Sequence, residues 1–321
     1  MIDEETRYLV AATAEKLLTD LVNRPISDAW PLIAENGLHL VLVPEAAGGL
    51  ALGGEIAAAI IAHAASLSIM IPIGETIVAN LLMARAGIES DDRIATLVGR
   101  VTDRVPWARH AAHVVIESID PGKMIVVNDD AIVITDTGNS LTGAPRDSVS
   151  DFGNAAKHEL PGGTGAVERC GAALRIIEMA GAARTILSLT VEYVCMRRQF
   201  GRPLSKFQAI QQELARMAGQ VAVLDGAAGI ACAFLDGPLG PSLELAAAKA
   251  RANEAAGLIA AIAHQAHGAI GFTDEYRLGR LTKSLWSSRS EFGGAAYWQD
   301  WIADYVLADS AEELWPMIVA A

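Results

Sequence analysis

Residues 193–220 have the sequence YVCMRRQFGRPLSKFQAIQQELARMAGQ. In the second half of this stretch, apolar residues recur at spacings of three and four between Phe207 and Leu224, which predicts an amphipathic helix. Gly201 and Pro203 interrupt any helix before it, because glycine permits a left-handed turn and proline cannot continue a helix. The stretch therefore predicts two bundle helices that meet at a sharp, arginine-rich corner.

The corner carries Arg198 and Phe200, and Gln208 lies on the helix that follows. A guanidinium can hold a diphosphate through paired hydrogen bonds, and an aromatic ring can stack on a flat cofactor. A basic helix end beside a core phenylalanine is the simpler interpretation, because cations are favourable at helix C-termini in general. The residue types alone leave both interpretations open.

The longer motif RRQFGRPLSKFQAIQ, residues 197–211, resembles the signature of the acyl-CoA dehydrogenase family. In that family an arginine before a Phe-Gly corner contacts FAD that is held mainly by a neighbouring subunit. The resemblance implies that Arg198 contacts the flavin diphosphate, that Phe200 packs against the cofactor and that Gln208 lines the same crevice. Residues 264–276, HQAHGAIGFTDEY, are similar to the family segment that approaches the FAD adenosine of the partner. That similarity implies cofactor contacts for Gln265, Gly268 and Gly271.

Composition excludes several classes of partner. The 321 residues carry a formal net charge of -13, so nucleic acid and anionic membranes would be repelled. An acyl-CoA is also an anion and needs a local basic patch. The three cysteines lack paired spacing for a metal and lie in apolar helical runs, which predicts small buried side chains. The acidic N-terminus does not resemble a secretory signal, and no long uninterrupted apolar run predicts a membrane span. A cytoplasmic protein without a metal is expected.

Three regions differ in their patterning. Residues 1–97 predict an N-terminal helical domain, and residues 98–163 predict a reduced middle domain of short antiparallel strands. Residues 164–321 predict a C-terminal bundle of four long helices, followed by a tryptophan-rich tail helix from residue 295 to 317. On its third helix, Lys249 and Asn253 are expected on the polar side. The fold class is mainly α with a small β domain, and the resemblance implies the acyl-CoA dehydrogenase fold.

The middle region departs from the family pattern. Neither the Thr-Glu-Pro-x-x-Gly-Ser-Asp loop nor the Trp-Ile-Thr segment, which hold the flavin and the thioester, occurs in this sequence. Residues 105–109, VPWAR, are the nearest remnant of the second segment. The chain therefore resembles short family members that serve as subunits of heteromeric, steroid-type acyl-CoA dehydrogenases.

The chemistry of desaturation requires a base, which a carboxylate in a dry cleft supplies because burial raises its pKa. The resemblance places that base after the fourth bundle helix, where an ungapped alignment gives Phe292 and a one-residue slip gives Glu291. Glu291 is the candidate catalytic residue. A second family position falls on Gly171, with Glu168 one turn earlier as a weaker candidate. Glu178 is expected to pair with Arg175 or Arg184.

Three functions remain open at this point. The first is FAD-dependent α,β-desaturation of an acyl-CoA thioester, by this chain alone or as one subunit of a heteromeric dimer or tetramer. The second is a catalytically silent subunit that donates half of an FAD site to its partner. The third is a flavin monooxygenase on the same fold. For a dehydrogenase, the family implies an electron-transferring flavoprotein as acceptor. His264 and His267 have the spacing of a metal pair but no evident third ligand, so His267 is expected to brace the glycine segment.

Overall fold

A computed structural model describes residues 4–99, 102–150, 155–273 and 276–308. The helices in these ranges are α1 (Glu4–Asp20), α2 (Ile26–Glu35), α3 (Gly54–Leu67), α4 (Ile73–Arg85), α5 (Ala166–Met196), α6 (Gln208–Asp236), α7 (Leu243–His267), α8 (Arg277–Ser288) and α9 (Ala295–Ala308). The strands are β1 (Ala95–Val98), β2 (Val105–Pro106), β3 (His113–Glu117), β4 (Lys123–Asn128), β5 (Val133–Asp136), β6 (Arg146–Ser150), β7 (Lys157–Glu159), β8 (Arg198–Gln199) and β9 (Arg202–Pro203).

The first four helices form the predicted helical N-terminal region. Their apolar side chains, including Leu18, Ile33 and Ile77, enter a core that is continuous with the bundle. Helix α4 is buried along most of its length, since it lies between α5 and the first strand. Glu75, in the first turn of α4, is therefore buried inside the protein.

The middle region contains two small sheets. Strands β1, β3, β4 and β7 form one sheet in that order, and β2, β6 and β5 form the other. The prediction of short strands is confirmed for β3, β4 and β5, and β3 pairs with β4 in the predicted antiparallel direction. Strand β1 pairs with β3 in parallel, with Ala95 opposite His113, because β2 and the turn at Trp107 carry the chain across between them.

Helix α5 is the centre of the C-terminal bundle. It has 31 residues and packs against α3, α6, α7 and α8, so its first two thirds are buried on nearly every side. Gly181 permits the closest of these approaches, since a Cβ there would lie 2.1 Å from the carbonyl oxygen of Ala62 on α3. Helix α6 begins only at Gln208, because Leu204–Lys206 forms a 3₁₀ turn before it.

Two predictions about side-chain burial are wrong. Lys249 and Asn253 are buried within the bundle, not on a polar face, because α7 is covered by both α5 and α9. Cys170 is buried as predicted, but Cys195 is exposed and Cys232 is half-buried. Cys195 lies in the last turn of α5, beyond the buried part of the bundle.

Two bundle helices have the length and composition of membrane spans. They are Gln208–Asp236, with a mean hydropathy of 1.6, and Leu243–Phe272, with 1.2. Both pack against α5, as core helices of a bundle do, so the pattern is weak evidence for a membrane. The division of the chain at residues 97 and 163 stays a prediction, and Trp315 of the predicted tail helix lies outside the described residues.

Replacing Gly181 with alanine is expected to destabilise the protein by roughly 1–3 kcal/mol, because the new methyl group meets the α3 backbone. The matched control is Gly219→Ala on α6, where a Cβ meets nothing within 4 Å. There the better helix propensity of alanine should stabilise by up to about 1 kcal/mol. Urea unfolding followed by circular dichroism measures both, and equal effects of the two variants would contradict the close approach.

Candidate active site

The loop from Ser288 to Gly293, which follows α8, is held by hydrogen bonds from two other helices. Lys249 Nζ donates to the carbonyl of Ser288 at 2.9 Å, and Asn253 Nδ2 donates to that of Gly293 at 3.3 Å. Trp298 Nε1 on α9 donates to the carbonyl of Phe292 at 3.0 Å. These contacts fix Phe292 in a left-handed conformation, with φ of 51°, which is unfavourable for a bulky side chain.

Phe292 packs directly over Gly171 on α5. A Cβ built on Gly171 would lie 2.1 Å from the phenylalanine ring, so only glycine permits this contact. Positions 171 and 292 are the two at which the family resemblance places a catalytic carboxylate. The fold brings both positions together in space, and neither carries a carboxyl group.

Glu291, the predicted base, points away from that contact and is clamped by two arginines. Arg146 donates to it at 2.8 and 3.0 Å, and Arg175 Nε donates at 2.8 Å. Burial alone would raise the pKa of Glu291, but the charges and hydrogen bonds of Arg175 and Arg146 outweigh burial and lower the pKa to about 2. A carboxylate with this pKa is a weak proton acceptor at neutral pH. Its role as a base stays a prediction.

Arg175 extends the same network to three parts of the molecule. Its guanidinium also contacts Glu75 of α4 at 2.8 Å and Glu178 of α5 at 2.8 Å. The expected pairing of Glu178 with Arg175 is confirmed, whereas Arg184 pairs with Asp225. Burial is the main reason why the pKa of Glu178 is raised, with Arg175 opposing it. The network thus joins the N-terminal helices, the middle strands and the bundle.

A cavity of about 1060 Å³ borders this loop, between the middle strands and helices α5, α8 and α9, and Glu291 is among the residues that line it. Its lining includes Pro106 and Phe292, together with Glu168 from the first turn of α5. Burial raises the pKa of Glu168 to about 7, and the charge of nearby Glu117 adds to the rise while Lys249 opposes it. Burial likewise lowers the pKa of Lys249 to about 7, assisted by the charge of Arg175.

The segment VPWAR, residues 105–109, borders the same region. Val105 and Pro106 form β2, and Trp107 is buried with a left-handed backbone, φ of 56°. Arg109 forms an ion pair with the fully buried Asp147, which anchors the turn to β6. Pro106 lines the cavity, so this remnant is near the site without contributing a hydroxyl or amide side chain to it.

The candidate FAD residues Arg198, Phe200 and Gln208 lie at the end of the bundle where α5 meets α6. Arg198 and Gln208 are exposed, and Phe200 is 90 % exposed with φ of 49°. The hairpin of β8 and β9 holds them, and Arg198 donates to the carbonyl of Gly201 at 3.1 Å. A phenylalanine so exposed is costly for an isolated chain, which suggests that another molecule covers it.

The second candidate set is near the first. Gln265 and Gly268 are exposed at the C-terminal end of α7, while Gly271 is buried. Tyr193 near the end of α5 stacks on His267 at 4.4 Å, which brings this segment to the corner's end of the bundle. A Cβ at Gly271 would lie 3.1 Å from the Cβ of His267, as expected if His267 braces the glycine segment. Exposed polar groups at this end of the helical bundle are compatible with an FAD that another subunit also holds.

Within the described ranges, no three His, Cys, Asp or Glu side chains converge on a possible metal position. His264 stacks between Phe272 and Trp286, at 4.1 and 5.4 Å, and contacts Thr282. Asp274, the only further ligand considered from the sequence, lies outside the described residues.

Sequence reasoning missed the residues that determine the site. Arg146 and Glu75 gave no local signal, because they come from different regions and converge only through folding. The contact of Phe292 with Gly171 was equally hidden, although each position had been singled out by the resemblance. Glu168 carried one usable signal, a carboxylate in the first turn of a strongly apolar helix.

The long-helix bundle, the two small sheets and the loop after α8 that faces the central helix form the acyl-CoA dehydrogenase fold. Residues 166–302 match the family model "Acyl-CoA dehydrogenase, C-terminal domain". Over these residues the chain is similar to the C-terminal domain of the acyl-CoA dehydrogenases.

Individual relatives agree with this placement. The chain is 27 % identical to the acyl-CoA dehydrogenase FadE34 of Mycobacterium tuberculosis over 85 % of its own length and 42 % of that protein's. It is thus less than half the length of that relative. It is 29 % identical to the acyl-CoA dehydrogenase IpdE2 of the same species, over 77 % of this chain and 76 % of that protein.

Solved structures show the same fold. The steroid acyl-CoA dehydrogenase Tcur3481-Tcur3483 superposes with a TM-score of 0.83 at 21 % identity, over 96 % of this chain and 99 % of that one. The ChsE4-ChsE5 complex from Mycobacterium tuberculosis gives 0.77 at 18 % identity, over 96 % and 99 %. The predicted fold class is confirmed, including the small β region.

The Glu291→Gln variant is expected to unfold with roughly 3 kcal/mol less stability at pH 7, because the buried guanidinium of Arg146 loses its carboxylate partner and Arg175 loses one of its three. The folded pKa of Glu291 lies below its usual 4.5, so its contribution is present above pH 4.5 and declines as the pH falls towards 2. Urea unfolding at pH 7 and at pH 3 measures this. Exposed Glu254→Gln is the control, and a pH-independent difference would contradict the clamp.

Glu168 should have the opposite pH dependence. Its folded pKa of about 7 exceeds the usual 4.5, so its contribution is most favourable below pH 4.5 and is lost as the pH rises through 7. The stability of the wild type relative to Glu168→Gln should therefore fall by up to roughly 3 kcal/mol between pH 4.5 and 8. Thermal unfolding across this range checks it, and a flat difference would show that Glu168 is solvated.

Proposed function

We propose that this chain is a subunit of a heteromeric, FAD-dependent acyl-CoA dehydrogenase. It lends Arg198, Phe200, Gln208, Gln265, Gly268 and Gly271 to an FAD that its partner also holds, and it supplies no base for desaturation itself. The partner is a second chain of the acyl-CoA dehydrogenase family, in a dimer or a tetramer, and the substrate is a CoA thioester that the partner binds.

This proposal rests on one observation: an aromatic ring occupies the position at which the family resemblance places the catalytic base. Phe292 packs on Gly171, so the place where either family carboxylate would lie is occupied by an aromatic ring. Arg175 lies over the same ring, 5.5 Å from its centroid, and would favour an ionised carboxylate of low pKa over one poised near neutral pH. Proton abstraction from a thioester therefore falls to the partner.

The exposed corner supports the lending role. Arg197, Arg198 and Arg202 concentrate positive charge there within a chain of net charge -13, which gives the local basic patch that a diphosphate needs. When bound, FAD would supply the hydride acceptor. This chain's residues would orient it: Arg198 by charge-assisted hydrogen bonds, Phe200 by packing, and Gln265 with Gly268 by contact at the adenosine end.

The substrate class is proposed from the relatives. Tcur3481-Tcur3483 is described as a steroid acyl-CoA dehydrogenase, and ChsE4-ChsE5 is a complex of two different chains. By analogy we infer a bulky, steroid-type acyl-CoA, turnover in the cytoplasm and electron transfer to an electron-transferring flavoprotein. Fold analogy sets this expectation, and measurement on the complex decides it.

Two other functions predict different results. A self-sufficient dehydrogenase with Glu291 as its base would bind about one FAD per chain and lose turnover on Glu291→Gln. A flavin monooxygenase would consume oxygen with reduced flavin in the absence of acyl-CoA. The ion pairs of Glu291 with Arg146 and Arg175 disfavour a self-sufficient dehydrogenase. No feature of the described residues specifically favours a flavin monooxygenase.

The test begins with the chain alone, which should be nearly colourless. Co-expression with an acyl-CoA dehydrogenase chain of the same organism that carries the Tyr-Glu-Gly-Thr glutamate should give a yellow heteromer. In that complex, Arg198→Ala should weaken FAD retention about 10- to 100-fold, as expected for a lost charge-assisted contact. Absorbance after gel filtration quantifies the bound flavin.

Two comparisons sharpen the result. Arg251→Ala, exposed on α7 and paired only with Glu254, is the control and should retain flavin. Arg197→Ala shows whether the neighbouring guanidinium shares the diphosphate. Glu291→Gln should leave turnover of the folded complex nearly unchanged, while the same change in the partner's loop glutamate abolishes it. A yellow homomer with full turnover would overturn the proposal.

A further inference from the structure

The loop between α4 and β1, residues 86–94, joins the N-terminal helices to the middle strands. On the helical side, Trp30 Nε1 of α2 donates to the carbonyl of Asp92 at 2.8 Å. On the strand side, Oδ2 of Asp91 lies 3.0 Å from Nε2 of His113 in β3. The loop is therefore held from both sides by side-chain contacts.

His39 lies in the 3₁₀ turn Leu38–Leu40 after α2 and is fully buried beside this loop. Asn80 of α4 donates to its carbonyl at 3.1 Å, and the edge of the Trp30 ring approaches its imidazole at a centroid distance of 6.0 Å. Among the described residues, neither ring nitrogen of His39 has a hydrogen-bond partner. Its Nε2 lies 3.4 Å from Oδ1 of Asp92, which is close enough to attract a protonated imidazole but is not aligned as a hydrogen bond.

The environment of His39 favours the neutral imidazole. The charged groups that face the ring are the carboxylates of Asp92 and Asp91 from the loop, whereas α2 and α4 present the uncharged Trp30 and Asn80. Burial lowers the pKa of His39 from its usual 6.5, and the attraction of Asp92 and Asp91 opposes burial without outweighing it. The side chain of Asp92 is 81 % exposed, so solvent screens its charge.

The other titratable groups of this junction are bound on the strand side. Arg93 Nε donates to Asp91 at 2.8 Å, and its Nη1 donates to Asp129 at 2.8 Å. His113 lies between Asp91 and Asn128, with its Nδ1 2.8 Å from Oδ1 of Asn128. These groups hold the loop to β3 and to the turn after β4, and they leave the helical side to His39.

We propose that His39 and Asp92 form an acid-sensitive latch between the N-terminal helices and the middle strands. The neutral imidazole packs under the loop and keeps the latch closed, and protonation of the imidazole favours the open latch, in which the ring reaches water. The latch concerns the attachment of the middle strands and does not rest on the role of this chain in FAD binding.

The pH dependence has one sign. Above pH 6.5 the imidazole is neutral whether the latch is closed or open. Below pH 6.5 the open latch takes up a proton more readily than the closed one, because the pKa of His39 is lowered in the closed state. Opening should therefore increase as the pH falls below 6.5. One proton can change the opening equilibrium by at most about 10-fold per pH unit.

The test is hydrogen exchange of the full chain between pH 5 and 8, measured by mass spectrometry and corrected for the intrinsic exchange rate. In the wild type, the protection of residues 86–98 should fall below pH 6.5, by up to about 10-fold per pH unit. His39→Leu, which replaces the ring with an apolar side chain of similar size, should remove this fall. Asp92→Asn should match the wild type at pH 8 and be about 2- to 5-fold less protected at pH 5.5, as loss of an exposed ion pair predicts.

Two variants are matched controls. His63→Leu removes a half-buried histidine on α3, and Asp304→Asn removes an exposed carboxylate on α9. Both should follow the wild type at residues 86–98. An unchanged pH dependence in His39→Leu would overturn the latch. If His39→Leu does not fold, Asp92→Asn decides, because protection equal to the wild type at pH 5.5 would also overturn it. An equal fall in residues 170–185 of α5 would show global unfolding in place of a local latch.

Discussion

The structure depends on one buried guanidinium. Arg175 is 1 % exposed, and it contacts carboxylates from α4, from its own helix and from the loop after α8. A charge in this position is tolerable only with its partners in place, and removal of one partner from such a cluster typically costs about 3–5 kcal/mol. The ion pairs therefore hold the three regions of the chain in a defined arrangement around α5.

That arrangement determines what the site can do. Because Arg175 and Arg146 take the carboxylate of Glu291, the next side chain, Phe292, is directed onto Gly171. Hydrogen bonds from Lys249, Asn253 and Trp298 to the loop carbonyls hold it there despite the unfavourable backbone conformation. Stabilising contacts therefore surround Phe292 and Gly171, the two positions at which the family resemblance places a catalytic carboxylate.

The corner and the cavity are two separate features of one fold. The corner residues Arg198, Phe200 and Gln208 are exposed beside a two-stranded hairpin, which suits recognition of a group that arrives on another subunit. The cavity is partly open to solvent and lies between this chain's own strands and helices, with aromatic side chains in its lining. The corner residues and the cavity share no lining residue.

The sequence by itself determined the helices, the strand-rich middle region and the family resemblance, because apolar periodicity and the contiguous RRQFG motif are local properties of the chain. It also identified positions 171 and 292 and limited the partner of Glu178 to Arg175 or Arg184, since those residues are close in sequence or fixed by the motif. Only the tertiary structure decided the state of Glu291. Its partners Arg146 and Arg175 lie 145 and 116 residues away, and the parallel pairing of β1 with β3 depends on a similar crossing of the chain. A carboxylate's pKa is set by the charges around it, and those come from segments that only folding brings together.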